Sequence, residues 1–415
     1  MEINLANSAF VMMCTAFVFL MTPGLALFYA GMERRKNALN TLMSCFFICG
    51  VGSVLWIVIG YSLSFGTDHG GVIGSLSNVF FNGVGVEPNA AYSSTIPETL
   101  FAAFQMMFAI ITPALICGSI AGRMRFSALF IFIIAWSIIV YYPMAHMVWG
   151  DGGLIRELGS VDFAGGNVVH ISSGISGLVA CIMLGKRREF GVVSYKPHNI
   201  PFVVIGAGLL WFGWFGFNGG SALAADGLAV HAILTTNTSA AMALLSWMLI
   251  EKLIHGKPTV LGAATGAVVG LVAITPGAGF VPIWASMVIG ALVSPICYFT
   301  MTKIKAKFGY DDALDAFGCH GIGGIWGGIA TGLFAQRSIN GTARWDGLVF
   351  GSTKLFVAQI ISILMTITFA AVGTFVILFI MKKFMSIRVT QEDEAQGLDL
   401  TEHSELAYPS FTGLD

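Results

Sequence analysis

The chain is expected to be an all-α, polytopic membrane protein: eleven transmembrane helices with a five-plus-five inverted repeat and a long last helix. Three observations support this. Of its 415 residues, 56% are hydrophobic and only 10% are charged, whereas a soluble globular chain carries roughly 25% charged residues with which to cover a water-facing surface. Apolar runs recur along the whole sequence, and at about 20 residues per span they fill most of it and leave no sizeable soluble domain. Basic residues collect on alternate loops between those runs.

The first run extends from about Ala9 to Ala30. It follows Met-Glu-Ile-Asn-Leu, which lacks the basic start of a secretory signal, and it is too long for a signal core, so it reads as a retained span. Arg34, Arg35 and Lys36 close it. The second span centres near residue 52 and leads into the longest loop, from about Gly66 to Thr95. The third centres near 110 and ends at Arg123 and Arg125; the fourth centres near 138, and Arg156 follows it. The fifth opens at Asp162, centres near 175 and runs into Lys186, Arg187, Arg188 and Lys196. Spans six and seven centre near 208 and 239, with Lys252 and Lys257 beyond. Spans eight and nine centre near 266 and 290, with Lys303, Lys305 and Lys307 beyond. The tenth centres near 325, the loop after it holds Arg337, Arg344 and Lys354, and the eleventh centres near 367 and ends at Lys382, Lys383 and Arg388. Gly, Pro and short polar turns separate them.

Seventeen of the 21 basic residues thus follow odd-numbered spans, and four lie on the other side. By the positive-inside rule the C-terminus is cytoplasmic and the N-terminus outside, in the plasma membrane. A miscounted span would scatter these residues over both sides. Residues 1–385 read as the membrane domain and 386–415 as a cytoplasmic tail, whose last stretch from Gln391 carries seven acidic residues and no Lys or Arg. A net charge of −1 offers no polyanion-binding surface, which excludes nucleic acid as a partner. The seven cysteines sit singly in apolar stretches and suit neither disulfides nor a metal cluster. The 51 glycines recur at small-xxx-small spacing, as in Gly262, Gly266, Gly270 and in Gly323, Gly327, which lets helices approach closely.

One internal echo is informative. Asp162-Phe-Ala-Gly-Gly-Asn-Val-Val-His170 opens the fifth span and Asp315-Ala-Phe-Gly-Cys-His320 the tenth. Five spans apart, the two halves insert with opposite topology, as inverted-repeat transporters do. Ionisable residues within a span are costly and are functional candidates by default. No carboxylate falls in mid-span; Glu98, Asp162, Asp226, Glu251 and Asp315 sit at or near span ends, and Asp162 and Asp315 stand where helix N-caps would. His146 and His231 lie near outer ends, and only His170 and His320 are well inside. A pair of neutral imidazoles meeting between the halves shares a proton and presents polar atoms to something small. Phe104, Phe108, Trp149, Trp214 and Phe217 suit a lined path or an interfacial belt.

These residues resemble the ammonium transporter (Amt/Rh) family in its bacterial and archaeal Amt branch. The matching stretches are Phe104-Gln-Met-Met-Phe108 with Ala109-Ile-Ile-Thr112, Ala145-His-Met-Val-Trp149-Gly, the Asp162 to His170 block, Gly213-Trp-Phe-Gly-Phe-Asn218 with Ser221, Phe317-Gly-Cys-His320-Gly, and Gly397-Leu-Asp-Leu-Thr-Glu-His403. The resemblance covers nearly the whole chain. It implies a non-enzymatic homotrimer with one narrow pore per protomer for ammonium, ammonia and methylammonium, needing no cofactor or metal. It implies an outer recruitment site of Phe108, Trp149 and Ser221, with Phe104 beside it, and a gate of Phe108 and Phe217. It implies pore histidines at His170 and His320, Trp214 lining the pore, and an essential acid, Asp162, that supports the site more than it binds cation. The tail resembles the segment that meets PII-type signalling proteins, with one departure: the family often has Gly after the Glu-His pair, and here Ser404 stands. Two rival readings are an ammonium sensor on the same fold and a membrane protein whose two histidines ligate haem.

Overall fold

The computed structural model describes residues 2–193 and 195–408; the end of the expected tail, 409–415, lies outside the described residues. The apolar helical segments among the described residues form one bundle: α1 (Leu5–Met32), α2 (Arg35–Phe65), α3 (Glu98–Ile120), α4 (Phe126–Trp136, continuing through Ser137–Tyr141 and Tyr142–Trp149), α5 (Gly166–Leu184), α6 (Ile200–Gly220), α7 (Gly227–His255), α8 (Val260–Ile274), α9 (Ile283–Phe308), α10 (Phe317–Gly321 and Ile322–Phe334) and α11 (Thr353–Phe384). Among the described residues, nine of these are long and apolar enough to cross a membrane. The other two are α8, of 15 residues, and α10, whose apolar side chains are diluted by glycine and His320. The backbone beyond α8, residues 275–281, is non-helical but wholly buried. Protein rather than lipid covers it, as irregular backbone at membrane depth requires. The 32-residue α11 is the long last helix of the expectation.

The glycine spacing has the expected consequence. A Cβ on Gly266 or Gly270 would run into α7 at Trp247 and Ala243, and one on Gly327 into Ala273 of α8. Without hydrophobic drive between helices in lipid, such close approach supplies the packing. All seven cysteines are buried and unpaired.

The loops sort onto two ends. At one end Asn4 N donates to Thr95 O at 2.8 Å, Ala225 N to Asn7 Oδ1 at 3.0 Å, Leu154 N to Gly71 O at 2.8 Å, and Arg344 pairs with Glu157 at 2.9 Å. At the other, the basic loops interlock. Arg187 makes a two-point pair with Asp311 at 2.7 and 2.9 Å, and buried Arg123 donates to the main chain at Gly185 and Asp311. Burial alone would raise the Asp311 carboxyl, but the Arg187 hydrogen bonds together with the charges of Arg123 and Arg187 hold Asp311 below the usual carboxylate range. Among the described residues, Asn4 lies at the first of these ends and the segment 391–404 at the second.

The tail is docked rather than loose. Two short helices, α12 (Gln391–Gln396) and α13 (Leu398–His403), lie on the basic loops. The buried Glu394 accepts from Arg188 N at 2.7 Å and pairs with Arg388 at 2.8 Å. Asp399 accepts from Asn40 N at 2.8 Å, and Glu402 accepts from Phe126 N at 2.9 Å, serving as a cap for α4. Ser404 ends α13 at φ 56°, in the left-handed region. A side chain there costs about 1–2 kcal/mol, which glycine avoids at some entropic cost. Ser404→Gly should strengthen docking by about 1 kcal/mol, roughly fivefold in the docking equilibrium. Amide exchange over residues 391–404 reads this; exchange that is unchanged or faster in the variant would show that strain at Ser404 does not limit docking.

Candidate functional site

The site is built by two turns of the same design. Gly165 adopts φ 126°, open to glycine and rarely to other residues, and the chain folds back so that the Asp162 carboxylate faces the free N–H groups opening α5. It accepts from Gly165 (2.8 Å), Gly166 (2.6 Å), Asn167 (2.7 Å) and Val168 (3.4 Å). The helix starts there as a π-type turn, Gly166–Ile171, that carries His170. At α10 the carboxylate of Asp312 accepts from Ala316 N at 3.2 Å and Phe317 N at 2.8 Å, and the π-type turn Phe317–Gly321 carries His320. Each aspartate precedes its histidine by eight residues.

This corrects the sequence expectation at one of two positions. Asp162 is a cap, but Asp315 is not. With φ 58° its side chain turns away from the helix start and meets Lys305 Nζ at 2.7 Å. The free N–H groups of α10 are reached from four and five residues upstream, where Asp312 stands.

The halves meet where Gly174 of α5 faces Gly321 of α10; a Cβ on Gly174 would run into the Gly321 backbone, and one on Gly324 would press on His170. That closeness brings His170 Nδ1 and His320 Nδ1 to 3.3 Å, with ring centroids 5.4 Å apart and planes inclined by 19°. Thr275 fixes the other edge of His170. Its hydroxyl donates to Leu271 O at 2.8 Å, so it accepts from Trp214 Nε1 at 2.9 Å and from His170 Nε2 at 3.3 Å. Since a hydroxyl has one proton, this network assigns the His170 proton to Nε2, and its Nδ1 accepts from His320 Nδ1–H.

Aromatic rings continue the file away from the pair. Trp214 stacks on His170 at 5.5 Å, Phe217 lies 6.1 Å from His170, and Phe108 lies 4.3 Å from Phe217. His170, His320, Trp214, Phe108 and Phe217 are each at most 3% exposed. Beyond Phe108 opens a cavity of about 190 Å³ at the end that holds the N-terminus, walled by Phe104, Phe108, Trp149 and Ser221. Trp149 stands edge-on to Phe108 at 5.9 Å, and its indole N–H donates to Asp162 O at 2.9 Å. Phe104 meets Phe108 edge-on at 5.0 Å. The Ser221 hydroxyl donates to Phe217 O at 2.8 Å, leaving its lone pairs to accept from a cation. A second cavity, of about 300 Å³, is walled in part by Phe28, Leu314, Asp315 and Cys319, the residue that precedes His320.

All nine residues singled out in the sequence fall in this one assembly. The sequence reading missed Asp312 and Thr275, and it missed Tyr92, Gln105 and Arg156 in the vestibule wall. For Asp312 a signal existed in the shared eight-residue spacing to the histidine. The haem alternative does not fit: ring nitrogens within hydrogen-bonding distance leave no room for a metal-centred macrocycle between them.

Comparison with known proteins identifies the family and the fold. A family model described as Ammonium Transporter Family matches residues 9–408. The chain is 51% identical over 405 residues to an ammonium transporter of Bacillus subtilis, covering 98% of this chain and 99% of that one. It is similar to the crystal structure of Saccharomyces cerevisiae Mep2, with a TM-score of 0.88, 36% identity, and coverage of 94% of this chain and 88% of that one. It is also similar to a structure described as a sensor Amt protein, with a TM-score of 0.88, 28% identity, and coverage of 96% and 98%.

Proposed function

Because the chain belongs to the ammonium transporter family, we propose that it recruits ammonium at the aromatic vestibule, where ammonium gives up a proton, and passes ammonia past the Phe108 and Phe217 gate and along His170 and His320 to the other side of the membrane. One observation carries this reading: a buried aromatic file that ends on two histidines in hydrogen-bonding contact at 3.3 Å. Moving a small cation into a medium of dielectric about 4 costs on the order of 20 kcal/mol, and several kcal/mol after relaxation. One desolvated aromatic face returns about 2 kcal/mol. Trp149, Phe108 and the Ser221 lone pairs therefore select a cation at a wet mouth and cannot carry it past Phe217. Neutral ammonia escapes most of that penalty, whereas potassium has no proton to give up.

The same reading puts the basic end in the cytoplasm of a plasma-membrane transporter, since seventeen of 21 basic residues lie there. It includes the family's homotrimer and treats 386–415 as a regulatory tail open to a PII-type protein. A transporter is favoured over a sensor because the Bacillus subtilis relative at 51% identity is named an ammonium transporter, whereas the sensor Amt protein is 28% identical.

In proteoliposomes on a solid-supported membrane, an ammonium jump should give transport where an equal potassium jump gives none. Phe217→Ala, which opens the 4.3 Å ring contact with Phe108, should leave outer binding within about twofold and change the conduction rate severalfold. Equal responses to ammonium and potassium in the wild type would remove the deprotonation step.

A further inference from the structure

Two cavities meet at the outer mouth. The vestibule has Arg156 in its wall, and beside it lies a space of about 520 Å³ walled in part by Asp68, Glu98 and Asp151; both include Phe65, Ala91 and Tyr92. Two of the three carboxylates are engaged. Asp68 meets His146 Nε2 at 2.9 Å, while the other ring nitrogen faces Ser64 O at 3.0 Å; that imidazole holds the Asp68 carboxyl below its usual range. Glu98 accepts from Tyr61 Oη at 2.7 Å and Asn89 Nδ2 at 2.9 Å. Asp151 is exposed and faces Arg156 at 3.6 Å across the boundary between the cavities. The same guanidinium donates to the main-chain oxygen of Trp149 at 3.2 Å. A permanent positive charge is thus anchored on the backbone of the residue whose ring walls the cation vestibule.

We propose that Arg156, held between Asp151 and the Trp149 carbonyl, is a selectivity residue that keeps divalent cations out of the vestibule. An acid-lined antechamber attracts all cations, and divalent ions most. A fixed charge at the inner boundary repels them in proportion to their valence, so a threefold penalty on ammonium becomes about ninefold on magnesium. Arginine suits the task because it keeps its charge at every physiological pH. The inference rests on the reading of the vestibule as the recruitment site.

The test is methylammonium uptake into proteoliposomes, with external magnesium chloride compared against choline chloride at equal ionic strength. Arg156→Gln should lower the apparent KM about threefold and bring half-inhibition by magnesium about tenfold lower, while Arg156→Lys, which keeps the charge, stays close to wild type. Wild-type KM and magnesium tolerance in Arg156→Gln would overturn the proposal, and so would Arg156→Lys behaving like Arg156→Gln, since the contact to Trp149 and not the charge would then matter. Trp149→Leu separates the two claims. If it raises KM while Arg156→Gln is silent, only the role of Arg156 falls; if it leaves KM unchanged, the recruitment reading falls and takes this inference with it.

Discussion

His170→Ala and His320→Ala should each cut methylammonium uptake at least tenfold and weaken its discrimination against potassium, and the double variant should be little worse than either single one. The reason is that the two rings form one unit. Thr275 already donates to Leu271 O, so His170 presents Nε2–H to Thr275 and Nδ1 to His320. Removing His170 leaves the His320 Nδ1–H buried without its acceptor, which costs about 1–3 kcal/mol; that alone is roughly a factor of ten in rate or occupancy. It also removes the stacked surface beneath Phe217 and Trp214. Groups that act together give non-additive losses, so two independent, multiplying losses would show that each histidine works alone. Unchanged flux and selectivity in both single variants would take the pair out of the mechanism.

How much of this was legible beforehand follows from the range of each signal. Composition and loop charge are summed over the chain, so the bundle, its two ends and the long α11 could be read directly. The histidines stood out because little else in the spans is ionisable. Asp315 misled because position alone, an acid just ahead of an apolar run, fits Asp312 equally well; backbone direction decides between them, and φ 58° at Asp315 is visible only in three dimensions. Thr275, in a Thr-Pro step, reads as an ordinary helix end, and its second role depends on α5 and α6 bringing His170 and Trp214 to one hydroxyl. The π-type turns under both histidines leave no mark in a hydrophobic pattern. Tyr92 comes to the vestibule on a loop and Arg156 on the one-turn helix Leu154–Glu157, far apart in sequence and too short for periodicity to carry anything.

Asp162→Ala should be strongly destabilising. Four N–H groups at the start of α5 converge on that carboxylate, and each buried donor left without an acceptor costs about 1–3 kcal/mol. The sum is a large part of the 5–15 kcal/mol by which a folded domain is typically stable. Asp312→Ala should cost about half as much, since that carboxylate holds two such groups. Asp162→Asn should fall between wild type and Asp162→Ala, because one amide oxygen still accepts while the amide nitrogen faces donors. Thermal unfolding of the detergent-purified protein, paired with uptake, separates two roles for Asp162. If stability and transport fall together across the series, the acid works by holding the turn that carries His170 and the carbonyl that anchors Trp149. A variant that unfolds at the wild-type temperature yet transports nothing would instead mean that the carboxylate meets the cation or its proton directly, and the supporting role argued from its four backbone contacts would have to be abandoned.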